Sequence, residues 1–533
     1  MTAPLPTIHP EAVREALRAK REIALVDVRE EDPYAQAHPL FAVQLSAGRI
    51  ELDAPWRLPR RDVPIAVYDD GEGLAEPAAR RLQDLGYTDV RLLAGGLQGW
   101  RDGGGELFRD VNVPSKAFGE LVEHQRHTPS LPAEEVKALI DGGADVVVLD
   151  ARRFDEYRTM SIPGGTSVPG AELVLHVRDL APDPATRVIV NCAGRTRSII
   201  GTQSLVNAGI PNPVAALRNG TIGWTLAGFE LDHGAQRRFG PASAASLAAA
   251  RRAAQSLADR AGAIRLDAAG LAAWQADRRR TLYCWDVRTP EDYAAGHRPG
   301  FGSAPGGQLV QETDVYAAVR GARIVLADGG PDSDGVRAPM TAHWLAQLGW
   351  EVAWLTDAPP AALATGAWVP PGAELPTVPT LTPAALTAAL SSGEVQLLDV
   401  GTSAAHVKGH VPGAQWVLRA QLAHVLPRLP RSGRIVVTGP EDLARLAAAD
   451  AARLSGRPVA VLAGGTAAWA AEGRPLASGE AGCLSPRIDR YRRPYEGTDA
   501  PRAAMQAYLD WEFGLVAQLG RDGTHGFQVL APA

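Results

Sequence analysis

Residues 187–201 read RVIVNCAGRTRSIIG, Arg187 through Gly201. The run Val188-Ile189-Val190 is short, β-branched and apolar on both faces, as a strand buried inside a parallel sheet must be. From Ser198 the chain continues SIIGTQSLVNAGI, with apolar residues at helical spacing. Cys192 therefore stands where a buried strand gives way to a helix. In open α/β sheets that edge is where ligands bind.

The same reading repeats along the chain. Four apolar runs end in an acidic residue: IALVDVR around Asp27, VVVLDAR around Asp150, LYCWDVR around Asp286 and VQLLDVG around Asp399. Each is followed by a second run: IAVYDDG, VIVNCAG, IVLADGG and IVVTGPE. From Asp27 to Asp69, Asp150 to Cys192 and Asp286 to Asp328 the interval is 42 residues, and from Asp399 to Gly439 it is 40. A helical stretch follows every second run. In three units a further strand then leads through a Gly-rich turn to Trp100, Trp224 or Trp469, whereas the third has AWLTDAPPAAL instead.

Each unit thus reads as strand, connection, strand, helix, strand, helix. That alternation predicts a parallel sheet with helices on both faces. The predicted domains are 8–112, 125–238, 262–370 and 380–480, with a C-terminal extension over 481–533. An Ala-rich stretch, 239–263, predicts a helix bridging units two and three, and a Pro-rich connector, 369–383, precedes unit four. The extension predicts one amphipathic helix from about Pro501 to Leu519, with Met505, Tyr508, Leu509, Phe513, Leu515 and Val516 available to pack.

Composition narrows the function. The chain has 533 residues, a net charge of −6 and 46% hydrophobic residues. It is too long for one core and carries no charge excess of the kind that draws nucleic acid or a membrane surface. No stretch approaches the roughly 20 apolar residues needed to span a bilayer, and the N-terminus has no signal-peptide pattern. Three dispersed cysteines argue against a disulfide framework or a Cys-based zinc site and fit a reducing cytoplasm. The twelve histidines show no metal-ligand spacing, and no cofactor is implied.

Cys192 carries the chemistry. The loop Ala193, Gly194, Arg195, Thr196, Arg197, Ser198 is short enough for its backbone N–H groups to converge on an anion at a helix N-terminus. Arg195 and Arg197 add positive charge for an anionic substrate. This field should hold the Cys192 pKa well below the free value of roughly 8.5. A nucleophilic sulfur in an anion cradle can take a sulfur atom from an anionic donor. The corresponding positions elsewhere, Asp69, Asp328 and Gly439, cannot, and their loops (DDGEGLAEP, DGGPDSDGV, GPEDLARL) are acidic. Asp150 and Arg152 read as a fold-level pair, because Asp27–Arg29 and Asp286–Arg288 recur in silent units. Cys284 reads as core, and Cys483, after the last unit, as an exposed thiol and an alternative resolving cysteine.

The loop resembles the active-site loop of the rhodanese family: Cys192, four residues, Arg197, then Ser198. Asp150 and Arg152, the Ile162–Gly165 stretch and the Gly223-Trp224 ending resemble rhodanese domains as well. The family's histidine before I-P-G is absent here, where Met160-Ser161 stand. The resemblance implies four tandem rhodanese-like domains, with the second alone catalytic. It implies a sulfurtransferase that takes sulfane sulfur from thiosulfate or a similar donor as a Cys192 persulfide and passes it to cyanide, a thiol or a protein. One alternative is a persulfide relay protein loaded by a partner. A phosphatase is a lesser one, because the related phosphatase loop has five residues between Cys and Arg and this loop has four. A purely structural role fits poorly with an intact Arg-rich loop.

Overall fold

The computed structural model describes residues 4–329, 334–357, 362–431, 433–497 and 499–532. Parts of two stretches quoted above, 330–333 and 358–361, lie outside the described residues. Four five-stranded parallel sheets are formed. In the second unit the strands are Ser130–Leu131, Val146–Asp150, Thr166–Ser167, Arg187–Asn191 and Val214–Leu217. They lie side by side in the order first, fifth, fourth, second, third, and every other unit repeats that order. The three apolar runs legible in the sequence are the central strands. Two edge strands of two or three residues had no legible periodicity and complete each sheet, which corrects the plan of three strands per unit.

Register puts the chemistry at one edge. Asp150 pairs with Asn191 across adjacent strands, so the D-x-R turn and the Cys192 loop leave the sheet together. Arg152 reaches back to Asp150 at 2.7 Å and donates to the Met160 carbonyl at 2.6 Å. Arg29–Asp27 and Arg288–Asp286 do the same, at 2.6 and 2.7 Å, with bonds to the Ala37 and Gly296 carbonyls. In unit four Gly401 replaces the arginine, and His406 Nδ1 meets Asp399 at 2.8 Å instead. The pair is therefore a fold contact. The recurring tryptophans are too: Trp100, Trp224 and Trp469 are buried, and each indole N–H donates to the carbonyl six residues on, at 3.0, 2.8 and 2.9 Å.

His38, His297 and His410 stack on Tyr34, Tyr293 and His406, with ring centroids 4.0, 3.7 and 3.8 Å apart. Ser161 takes that place in unit two and keeps the same backbone bridge, here to Asp232. The missing histidine thus changes a packing contact beside the sheet.

The units interlock. Units one and three share one apolar core, from Val26 and Tyr68 to Trp285 and Leu326. The Ala-rich segment is a helix, Ala244–Arg260, capped by Ser243 accepting from the Ser246 N–H. It buries Ala250, Ala254 and Leu257 in a cluster with Leu173 and Val174 of unit two and Val336 and Met340 of unit three. Arg419 of unit four is bound to Glu51 of unit one, at 2.7 Å from each guanidinium nitrogen involved, and to Asp450 at 2.9 Å.

Two elements depart from expectation. The residues between the first two predicted domains form a helix, Val113–Arg126, with Val113 through Glu120 buried. The extension is two helices, Arg502–Phe513 and Leu515–Asp522, broken at Gly514. Met505, Tyr508, Leu509 and Leu515 pack inward as expected, but Phe513 is 54% exposed. The break turns its ring out of the apolar stripe and over the Arg195 guanidinium, 4.2 Å from the ring centroid.

Candidate active site

The strand Arg187–Asn191 ends in Cys192, and the helix Thr196–Asn207 begins four residues later. Two carbonyls of the connecting loop point toward the helix Gly220–Leu226: Thr221 N–H donates to Cys192 O at 2.9 Å, and Ile222 N–H to Ala193 O at 3.0 Å. That approach requires Gly220, whose φ is +57° and whose added Cβ would stand 2.4 Å from Cys192 O. With these carbonyls turned away, the loop amides are free to face the other side.

Cys192 is 2% exposed. Its thiol donates to Ser198 Oγ across 3.4 Å, and Ser198 Oγ donates to Arg195 O at 2.8 Å. Burial pushes the thiol pKa up, outweighing Arg197 and the Ser198 hydroxyl and backbone N–H, which favour the thiolate. The low pKa expected from the loop alone is thereby corrected: the cradle is present, but desolvation dominates in this closed arrangement.

Both loop arginines are paired. Arg195, 4% exposed, bonds Glu120 at 2.7 and 2.8 Å, Asn219 at 3.1 Å, and Glu123. Arg197 bonds Glu156 at 2.7 and 2.8 Å. Although burial opposes it, the Arg197 guanidinium holds the Glu156 carboxyl down at about 2. Thr196 lies against Gly119 of the buried helix, 3.0 Å from the position of an added Cβ. Beside Arg197 lies a cavity of about 280 Å³ lined by Arg153 and Glu156 of unit two, Gln311 of unit three, and Arg490, Arg493 and Tyr495 of the extension. The walls of this cavity thus come from three parts of the chain.

The extension also covers the loop, which the sequence did not reveal. A Cβ at Gly194 would meet Tyr508 Cε1 at 3.1 Å and Glu512 Oε2 at 3.4 Å. Arg502 fastens this helix to unit two through the Thr225 and Leu226 carbonyls, at 3.1 and 2.5 Å. The only hint in the sequence was the amphipathic stripe that includes Tyr508.

Units one and three fill the corresponding cradle from within. Asp69, in the place of Cys192, accepts from the N–H groups of Gly71, Leu74 and Ala75 at 3.2, 2.5 and 3.0 Å. Asp328 accepts from Ala338 N–H at 3.0 Å. A protein carboxylate sits where a substrate anion would otherwise bind. Of the other cysteines, Cys284 lies in the strand Leu282–Asp286 with its thiol pushed up to about 12 by burial. Cys483 bridges to Trp416 in unit four.

This architecture and loop define a class. The rhodanese-like domain family matches residues 9–102, 132–227 and 382–472, more than half of the chain, and the chain belongs to that family. Its fold is four tandem rhodanese-like domains with a helical C-terminal region, and it is an enzyme of the rhodanese sulfurtransferase type. The crystal structure of a thiosulfate sulfurtransferase from Pseudomonas aeruginosa is similar over the whole length. It is 64% identical, covers 99% of this chain and 100% of that one, and superposes with a TM-score of 0.96. A thiosulfate sulfurtransferase from Azotobacter vinelandii is 27% identical over 218 residues, 37% of this chain and 79% of that protein. The thiosulfate sulfurtransferase GlpE of Coxiella burnetii is 28% identical over 82 residues, 15% of this chain and 75% of that protein.

Proposed function

We propose that the chain takes sulfane sulfur from thiosulfate, or a similar anionic donor, onto Cys192 and passes it to a thiophilic acceptor: cyanide, a thiol or a protein. The observation that carries this reading is a single cysteine at a strand–helix junction. It is followed at the right interval by Arg197 and Ser198, whereas the corresponding position is a carboxylate bound to its own loop amides in units one and three and a glycine, Gly439, in unit four. The Cys192 thiolate attacks the outer sulfur of thiosulfate. The bond to the sulfonate sulfur breaks, its electron pair leaves with sulfite, and a persulfide remains. An acceptor nucleophile then takes the outer sulfur and returns the Cys192 thiolate.

In this reading the amides of Ala193, Gly194, Arg195, Thr196, Arg197 and Ser198 hold the donor's oxygens and the outgoing negative charge. Arg197 supplies positive charge at the mouth. Arg195, bound to two glutamates, fixes the loop's shape. All three cysteines are free, which supports a reducing cytoplasm. Among the described residues no helix is long and apolar enough to cross a membrane.

The burial of Cys192 under the extension favours a second reading, a relay protein loaded by a partner enzyme. Steady-state assay separates the two. Repeated thiocyanate release from thiosulfate and cyanide, absent in Cys192→Ser, supports the enzyme reading. A wild type inert with free donors would reject it in favour of the relay.

A further inference from the structure

The helix Arg502–Phe513 places a carboxyl against the cysteine loop. Glu512 has no exposed surface. Its Oε1 accepts from the Tyr508 hydroxyl at 2.7 Å, and its Oε2 has no hydrogen-bond partner among the described residues. That bare oxygen lies 3.4 Å from where a Gly194 Cβ would stand. Gly194 is two residues from Cys192.

An unsatisfied buried carboxyl is costly unless it is neutral or has a task. The groups facing it come from every packed element. The buried helix Val113–Arg126 contributes Lys116, bound to Asp110 at 2.7 Å, together with Glu120 and Glu123. The loop contributes Arg195 and Cys192. The extension contributes Tyr508 and Tyr495, whose rings lie 5.2 Å apart. Arg195 is already held by Glu120 and Glu123, and Lys116 by Asp110. Both are bonded to other carboxylates, and neither bonds Glu512.

We propose that Glu512 is a positioning residue of the Cys192 site, supplied by the C-terminal helix, whose protonation decides how readily Cys192 becomes a thiolate. The proposal rests on the reading of Cys192 as the sulfur carrier. Burial and the Glu120 carboxylate push Glu512 up to about 8, against Lys116, Tyr508 and Arg195. Cys192 in turn is raised by burial first, and by Glu512 among the charges near it. Below about pH 8 Glu512 is a neutral acid and leaves the thiolate unopposed. Above that pH its carboxylate repels a second negative charge on Cys192. A small-anion donor thus meets a nucleophile whose reactivity does not climb with pH as a lone thiol's would.

The test is the pH titration of the Cys192 thiolate by ultraviolet absorbance in the full chain, each background corrected by its own Cys192→Ser partner. Glu512→Gln removes the titrating charge at constant shape. Its curve is expected to follow the wild type below about pH 7, and to show about three- to tenfold more thiolate between pH 8 and 9, the effect of one like charge nearby. Tyr508→Phe removes the bond that favours the Glu512 carboxylate. It is expected to move the curve in the same direction by less, and it keeps the test open if Glu512→Gln does not fold. Curves that coincide at every pH would overturn the proposal, as would a uniform displacement extending to pH 6, which marks a merely structural effect. Sulfur loading from thiosulfate at pH 7, measured on the same samples, reports on the carrier role separately, because the thiolate curves part or coincide whether or not sulfur loads.

Discussion

Arg195 and Arg197 are two residues apart, equally charged and differently used. Arg195 is buried between Glu120, Glu123 and Asn219, so Arg195→Ala strands two carboxylates. It should lower stability by about 3–5 kcal/mol, the usual cost of halving a buried pair, as read by denaturant unfolding. Arg197, five residues beyond Cys192, borders a cavity of about 280 Å³. Arg197→Ala should leave the fold largely intact and slow single-turnover sulfur loading on the order of 10²-fold, the loss typical of one charge-stabilising group. Equal loading rates would remove Arg197 from donor binding. The candidate nucleophile was legible because glycine, two arginines, threonine and serine around Cys192 make a poor core. The direction of its pKa shift was not, because the covering groups, Tyr508 and Glu512, come from a segment far along the chain.

The repeated element is a strand ending in an anion cradle, and what fills the cradle separates the units. In unit three Asp328 is 4% exposed, and burial, together with nearby Asp334, holds its carboxyl well above the usual range. A carboxyl whose folded pKa is raised contributes stability that is fully present below the unfolded value, roughly 3.9. That stability is lost as pH rises through the folded value. Asp328→Asn, which keeps an acceptor for the Ala338 N–H, should therefore melt higher than the wild type at pH 8 and show little gain at pH 4. A gain independent of pH would contradict this. The central strands were legible from their apolar runs and the constant interval to the second run. The edge strands, such as Thr166–Ser167, were not, since two residues carry no periodicity. The helix Val113–Arg126 carries an apolar stripe, Val113, Ala117, Phe118, Leu121 and Val122, but lies between repeats and has no counterpart in the other units.

Across the whole molecule the four units interlock, and unit two packs against unit three and the extension. Units one and three share a core, and Arg419, held by Asp450 of its own unit, ties unit four to unit one through Glu51. Arg419→Ala should loosen unit four and speed limited proteolysis within the connector 369–383. Unchanged cleavage would show that the remaining contacts, among them Arg81–Asp450, hold unit four in place without Arg419. These contacts join residues hundreds of positions apart, which a repeat pattern cannot reveal. The most direct test of a single sulfur carrier is intact mass after brief exposure to thiosulfate, wild type beside Cys192→Ser. A gain of one sulfur atom in the wild type alone, reversed by cyanide, is the expected result. A gain that survives in Cys192→Ser would contradict it and turn attention to Cys483.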